Sequence, residues 1–223
     1  MADQPPAEVS IDRGLVRSLL RAQAPGLTGR ALEHIASGWD NEQWALGEDL
    51  IVRLPRRAVA APLIVNEQAA LPGIAARLAH TGVRVPTPII TGVPQADYPW
   101  PWSIVPYFSG TESLAVPRGE RTAWAGALGT ALVALHSPAP PEAPVNPWRG
   151  HPLAHRDLRT APAIAASPTE FRAVLADAWA AGLAATPHAG PAVWIHGDLH
   201  PGNLVVDDGR LVAIIDFGDV TSG

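Results

Sequence analysis

Residues 194–206 read Trp-Ile-His-Gly-Asp-Leu-His-Pro-Gly-Asn-Leu-Val-Val, and residues 214–219 read Ile-Ile-Asp-Phe-Gly-Asp. Short apolar runs flank the polar residues in both stretches, which predicts short strands joined by loops. Asp198 and Asn203 lie in the predicted loop, and Asp216 follows the last apolar run. Three oxygen-bearing side chains therefore stand at the ends of predicted strands.

A β-hairpin is predicted between the two stretches. The residues Asp-Asp-Gly-Arg at 207–210 separate two runs rich in β-branched residues, and we interpret Asp207 and Asp208 as turn formers. Because a hairpin brings its ends together, Asn203 and Asp216 are expected side by side as oxygen ligands for Mg²⁺. Asp198 is expected to project from the same loop toward an acceptor.

This arrangement suits phosphoryl transfer. The reaction needs an acceptor hydroxyl held in line, a carboxylate to receive its proton, and metal ions to neutralise the phosphates. The order His196, Asp198, Asn203 has the spacing of the protein-kinase loop H-R-D-x-x-x-x-N, and residues 216–218 match its D-F-G.

The fuller string at residues 196–203, followed by Ile-Asp-Phe-Gly-Asp, resembles the aminoglycoside phosphotransferase and choline kinase-like superfamily. Its members have a protein-kinase-like fold, so the resemblance implies a bilobal α+β protein. The N-terminal lobe, residues 1–105, would be an antiparallel sheet that covers the nucleotide. The C-terminal lobe, residues 106–223, would be mainly helical, carry catalysis and be incomplete.

The resemblance also implies roles for individual residues. Asp198 corresponds to the catalytic base, and His196 stabilises the same catalytic loop. Asn203 and Asp216 correspond to ligands of Mg²⁺, and we interpret His200 as structural. The implied co-substrate is ATP, with GTP as the alternative.

Weaker matches imply a phosphate site in the N-terminal half. The turn from Ser37 to Asn41 lies where the family has its nucleotide-covering turn, whose backbone N–H groups can face the phosphates. Arg53 stands where the family usually has a lysine, with Glu67 as its expected partner. Arginine can hold both carboxylate and phosphate, but its planar fork is bulkier than an ammonium.

The expected connection between the lobes follows a tryptophan-rich segment. The resemblance aligns Pro106 to Phe108 with the backbone that contacts adenine, and Pro106 offers a carbonyl but no N–H. Trp100 and Trp102 are interpreted as core or lid residues.

The composition excludes several functional classes. All 16 basic side chains are arginine, so a lysine-containing P-loop and Schiff-base chemistry are excluded. A net charge of -5 argues against a nucleic-acid partner. The apolar stretches are interrupted before the ~20 residues of a membrane span, and Met1–Ser10 lacks a signal-peptide core. With no cysteine, the chain fits a reducing cytoplasm.

Periodicity and turn residues predict the remaining elements. Helices are expected over 11–24, 118–136 and 170–183, and from residue 61 to a break at Pro72 with a second short helix to His80. Strands are expected within 31–54, 88–92 and 102–108. The proline-dense segment 137–147 is expected to be an extended surface connection.

Superfamily members continue past the Ile-Asp-Phe-Gly-Asp motif with further helices. An apolar surface on the helices over 118–136 and 170–183 is therefore expected to be partly uncovered, with self-association through it. The acceptor is a small-molecule hydroxyl, and an aminoglycoside or related antibiotic is one candidate among several metabolites. Two alternatives stay open: an inactive nucleotide-binding kinase-like module, and a metal-dependent phosphoesterase.

Overall fold

A computed structural model of the protein describes residues 5–223, so the first four residues of the segment assessed above for a signal peptide lie outside it. The helices are α1 Arg13–Gln23, α2 Ala61–Leu78, α3 Ala125–Leu135, α4 Asp157–Ala166 and α5 Thr169–Ala184. The strands are β1 Leu32–Ser37, β2 Asn41–Leu46, β3 Leu50–Pro55, β4 Ile90–Gly92, β5 Trp102–Pro106, β6 Thr111–Glu112, β7 Trp194–Ile195, β8 Leu204–Asp207, β9 Arg210–Ile214 and β10 Thr221–Ser222.

The N-terminal half is a five-stranded antiparallel sheet in the order β1-β2-β3-β5-β4. Alternate residues of β2 are buried, as period-two patterning requires. Helix α1 covers this core with Val16, Leu19 and Leu20, all fully buried. Asp12 caps α1 by accepting a hydrogen bond from the Leu15 N–H. Trp102 is a core residue, as expected.

Helix α2 does not break at Pro72, contrary to the prediction from sequence. Its interior proline is exposed, whereas Leu71, Ile74 and Leu78 are fully buried against the core. An interior proline costs about 3 kcal/mol, but burying each of those side chains returns roughly 1.5–3 kcal/mol. Packing on both sides of the proline keeps the helix continuous.

One helical stretch in the described part of the chain, Ala58–Thr81, has the length and hydropathy of a membrane span. The sequence pattern did not predict such a stretch, because Pro and charged residues interrupt its apolar runs. Its side chains at 64, 71, 74 and 78 pack inside the protein, and Glu67 lies in a buried ion pair. These contacts are those of a core helix.

The C-terminal half contains the remaining helices and two small sheets, β6-β8-β9 and β7-β10. The single helix expected over 118–136 is divided: Arg118–Trp124 is 3₁₀-helical and the α-helix begins at Ala125. Ala131 and Leu135 of α3 pack in one cluster with Phe217. Helix α4, with an interior proline, was not predicted.

The expected apolar surface is present on these helices. Every residue of α5 is at least partly exposed, and Val133 of α3 is 79% and Val174 of α5 is 61% exposed. Self-association through this surface stays a prediction.

The proline-dense segment 137–147 is not simply a surface connection. Ala143 and Asn146 are buried, and the Pro144 carbonyl accepts a hydrogen bond from the Ser222 N–H. Tertiary contacts with the final strand hold the end of this segment inside the protein. It then leads directly into the site described next.

Candidate active site

The loop after β7 turns sharply at Gly197. This glycine has φ 84°, and a Cβ on it would overlap the carbonyl oxygen of Asp219. A positive φ and so close a backbone approach both require glycine. The loop at residues 196–203 can therefore lie directly against the turn at residues 216–219.

His196 braces this loop from inside. It is 2% exposed; its Nε2 lies 2.9 Å from the Ile215 carbonyl, and its Nδ1 accepts from the Asp198 N–H at 3.2 Å. Only the neutral tautomer with the proton on Nε2 satisfies both contacts. Burial lowers the pKa of His196, which favours that neutral form. The centre of the His196 ring lies 4.4 Å from the centre of the Phe217 ring. The geometry gives His196 a supporting place in the loop.

Asn203 is fixed at the start of β8. Its side-chain N–H donates to the Asp198 carbonyl at 2.9 Å, and its backbone carbonyl accepts from the Ile215 N–H at 2.9 Å. Since the amide nitrogen is engaged, Oδ1 is the atom available to a metal ion. The β8–β9 hairpin, turning at Asp207 and Asp208 as predicted, carries Asn203 next to the Asp216 segment.

Asp216 is held in a left-handed conformation with φ 60°. Its Oδ1 accepts from Arg53 Nη2 at 3.3 Å, while Arg53 Nη1 donates to Glu67 Oε1 at 2.5 Å. Glu67 Oε1 also accepts from the Phe217 N–H at 3.3 Å. The arginine and glutamate therefore connect β3, α2 and the loop after β9.

The pair of Arg53 and Glu67 is almost completely buried, at 6% and 2% exposure. Burial raises the pKa of Glu67, and the charge of Arg53 works against this increase. Burial also opposes the charge on Arg53, but attraction to Glu67 and Asp216 outweighs it and raises the pKa of the guanidinium. Arg53 is therefore a permanent cation at the centre of the site.

Asp198 points outward, with 47% of its side chain exposed. Its Oδ1 accepts from Arg149 Nη2 at 2.9 Å, and its Oδ2 lies 3.9 Å from His200 Nε2. His200 uses Nδ1 to accept from the Gly202 N–H, which agrees with a structural interpretation. Sequence reasoning missed Arg149, because nothing in its local sequence distinguishes it from other surface arginines.

A cleft of about 420 Å³ brings half of the ten predicted site residues together. Its lining includes Arg53, Pro106, Phe108, Asn203 and Asp216. A smaller cavity of about 70 Å³ adjoins it, lined among others by Asp40, Asn41, Arg53, Glu67 and Asp216. Asn41 Oδ1 is buried there without a hydrogen-bond partner in the described structure.

Two parts of the predicted nucleotide site differ from the simple expectation. The Ser37 hydroxyl donates to Glu42 Oε2 at 2.8 Å, and Ser37 lines neither cavity. At the connection between the lobes, the Tyr107 N–H donates to the Asp49 carbonyl at 2.8 Å. Neither detail could be read from local sequence.

Residues 5–223 contain no group of three or more His, Cys, Asp or Glu side chains that could hold a metal ion. A phosphoesterase site with two metals is built on such a group. Asn203 Oδ1 and the Asp216 carboxylate fit the limited protein ligation typical of Mg²⁺, which takes its other ligands from phosphates and water.

The antiparallel sheet, the helical half, the loop that carries Asp198 and Asn203, and the adjoining segment with Asp216 define the protein-kinase-like fold used by small-molecule kinases. Residues 31–223 match the phosphotransferase enzyme family, and the chain belongs to that family. The resemblance inferred from the motifs is thereby confirmed. No curated protein sequence is a significant match.

Solved structures share this fold at low sequence identity. The GDP complex of aminoglycoside 2'-phosphotransferase-IIIa superposes with a TM-score of 0.70 at 19% identity, covering 96% of this chain and 75% of that one. Macrolide 2'-phosphotransferase MphH from Brachybacterium faecium superposes with a TM-score of 0.60 at 20% identity, covering 94% of this chain and 73% of that one. Aminoglycoside phosphotransferase APH(3'')-Id from Streptomyces rimosus superposes with a TM-score of 0.60 at 19% identity, covering 96% of this chain and 79% of that one.

Proposed function

We propose that the protein transfers the γ-phosphoryl group of ATP or GTP to a hydroxyl of a small molecule. The observation that carries this proposal is the convergence of the catalytic loop and the Asp216 segment at the inter-lobe cleft. The Ile215 N–H donates a hydrogen bond to the Asn203 carbonyl, so the two proposed metal ligands come from adjoining backbone segments. Both residues line the cleft.

In the proposed reaction, Asp198 accepts the proton of the acceptor hydroxyl as that oxygen bonds to the γ-phosphorus. The bond from the γ-phosphorus to the bridging oxygen breaks, and the nucleoside diphosphate leaves with that electron pair. Asn203 and Asp216 are the residues that would hold Mg²⁺, which would supply positive charge to neutralise the phosphates. Arg53, already fixed by Glu67, adds a permanent positive charge beside them.

The structural relatives support a nucleotide and an antibiotic-like acceptor. Among them are complexes with GDP and kanamycin, with gentamicin, and with streptomycin and ATP. We therefore propose aminoglycosides and macrolides as the first acceptors to test. The same fold relatives carry either guanine or adenine nucleotides, so both belong in the experiment.

The test measures transfer of radioactive γ-phosphate from Mg-ATP and from Mg-GTP to kanamycin, gentamicin, streptomycin and a macrolide. Nucleotide binding is measured in parallel by calorimetry. The proposal expects labelled product with at least one acceptor and none with Asp198→Asn, which keeps the shape of the side chain but removes the base. Absence of nucleotide binding would refute the proposal, whereas equal transfer by Asp198→Asn would refute the role of Asp198 as the base.

A second candidate is a nucleotide-binding module with little or no transfer activity. The observation that favours it is that both functional carboxylates already have internal partners, Asp198 with Arg149 and Asp216 with Arg53. It predicts Mg²⁺-dependent nucleotide binding without phosphorylated product from a broad hydroxyl panel. The binding and transfer arms of the same experiment separate the two functions.

A further inference from the structure

Arg149 lies between two carboxylates of the candidate active site. Its Nη2 is 2.9 Å from Asp198 Oδ1 and 2.8 Å from Asp219 Oδ2, and its Nε is 2.9 Å from the same Asp219 oxygen. The arginine side chain is 23% exposed. One planar guanidinium thus connects the candidate base with the end of the Ile-Asp-Phe-Gly-Asp segment.

Asp219 is itself anchored from a second direction. Its Oδ1 accepts from the Asn146 side-chain N–H at 2.8 Å. Asn146 is 5% exposed, its backbone N–H donates to the Thr221 hydroxyl, and its Oδ1 accepts from the Trp148 N–H. Both oxygens of Asp219 are engaged inside the protein, so this carboxylate serves as a fixed anchor for Arg149.

The two oxygens of Asp198 are therefore not equivalent. Oδ1 accepts a hydrogen bond from Arg149, whereas Oδ2 lies 3.9 Å from His200 Nε2, too far for a hydrogen bond. A guanidinium stays charged and holds carboxylates in a fixed planar geometry. With Oδ1 held, rotation of the half-exposed carboxylate is restricted, and Oδ2 is the oxygen to which no described residue donates a hydrogen bond.

We infer that Arg149 is a positioning residue for phosphoryl transfer, acting through Asp198. It holds Oδ1 so that Oδ2 is the oxygen that receives the proton of the acceptor hydroxyl, and it ties this carboxylate to the Asp219 anchor. The effect on rate rests on the proposed function, whereas the effect on the loop does not.

The test compares Arg149→Met and Arg149→Lys with the control Arg156→Met. Arg156 is an exposed arginine in the same segment between α3 and α4. One measurement is hydrogen–deuterium exchange of the full chain over residues 196–203 and 217–223. The other is steady-state transfer from Mg-ATP, using the acceptor that gives product in the panel above, or water with release of inorganic phosphate if none does.

Arg149→Met is expected to accelerate exchange over both segments and to reduce kcat about 100-fold, the usual cost of a catalytic group misplaced by ~1 Å. The KM for nucleotide should change by less than about threefold, because Arg149 contacts Asp198 and not the nucleotide cleft. Arg149→Lys should recover roughly tenfold of the loss in kcat, since it keeps one charged contact but not the planar fork. Arg156→Met should match the wild type.

Unchanged exchange in Arg149→Met would overturn the inference even if the protein proved to be an inactive module. The inference would also be overturned if Arg149→Met lowered thermal stability and kcat and changed KM together, and Arg149→Lys restored none of them. That pattern indicates a general folding role. Faster exchange with a normal kcat would refute the positioning role while leaving the proposed function intact.

Discussion

The Arg53 guanidinium donates to Asp216 across 3.3 Å while its other arm is bound to Glu67. A single buried cation therefore joins the N-terminal sheet and helix α2 to the segment that carries a candidate metal ligand. The sequence predicted the contact with Glu67, but not the contact with Asp216. Because Arg53 contacts both Glu67 and Asp216, protein contacts align the two halves of the site.

Arg53→Met is expected to destabilise the protein by about 3–5 kcal/mol, because it leaves Glu67 buried without its counter-ion. The free energy of unfolding, measured with urea, tests this. The double variant Arg53→Met with Glu67→Gln should recover much of the loss, since the uncompensated charge is then gone. The control Arg30→Met removes a cation from an exposed ion pair with Asp49, and should leave the urea midpoint nearly unchanged. A similar loss in both single variants would contradict the assignment of a buried pair.

Asp216→Asn should weaken Mg²⁺-dependent nucleotide binding by at least about tenfold, because an amide replaces the charged metal ligand. Calorimetry with ATP in the presence of MgCl₂, and again with EDTA, measures the effect. For the wild type, removing the metal should cause a comparable loss. Asp207→Asn in the exposed hairpin turn is the matched control. Equal affinity of the wild type with and without metal would exclude the proposed metal site.

Gly197→Ala should cost more stability than Gly209→Ala, although both glycines have positive φ, 84° and 70°. At Gly209 a Cβ meets nothing within 4 Å, so only the left-handed backbone cost of about 1–2 kcal/mol applies. At Gly197 the Cβ also overlaps the Asp219 carbonyl, which adds about 1–3 kcal/mol of overpacking. Thermal and urea unfolding of both variants provide the comparison.

The rate of phosphoryl transfer gives a second measurement that compares Gly197→Ala with Gly209→Ala. Gly197→Ala displaces the loop that carries Asp198 and should reduce kcat, whereas Gly209→Ala should leave it unchanged. Equal stability losses, or a normal kcat in Gly197→Ala, would show that the loop does not need this close backbone approach.

His196 should make stability depend on pH. Burial lowers its pKa below the ordinary histidine value of 6.5, so the unfolded chain binds this proton more readily than the folded protein. Its contribution is therefore present above pH 6.5 and is lost as pH falls toward the folded pKa, by at most about 1.4 kcal/mol per pH unit. Urea unfolding between pH 5 and pH 8 measures the slope.

His196→Asn should flatten that slope, whereas the exposed-site control His80→Gln should keep it. The comparison uses the difference in slope, because other groups contribute equally to all three proteins. A steeper loss of stability at low pH in His196→Asn would mean that His196 is protonated in the folded protein. That result would contradict the hydrogen bond that Nδ1 accepts from the Asp198 N–H.

Much of the fold and part of the site were predictable because the signals are local. Alternating burial in β2 and the Asp-Asp-Gly-Arg turn set strands and a hairpin with little help from distant residues. The hairpin in turn brings Asn203 beside the Asp216 segment. Local rules failed at Pro72 and at 118–124, where core packing and a 3₁₀ turn override propensity.

By itself, the sequence determined the antiparallel meander of β1, β2 and β3, the β8–β9 hairpin and the close approach of Asn203 to the Asp216 segment, since each depends on residues near one another in the chain. Only the tertiary structure decided that Arg149 reaches Asp198 and Asp219, 49 and 70 positions away, and that Arg53 bonds to Asp216 at a separation of 163. Such pairings depend on how separate elements pack, because the long intervening segments place no local restriction on which charges meet.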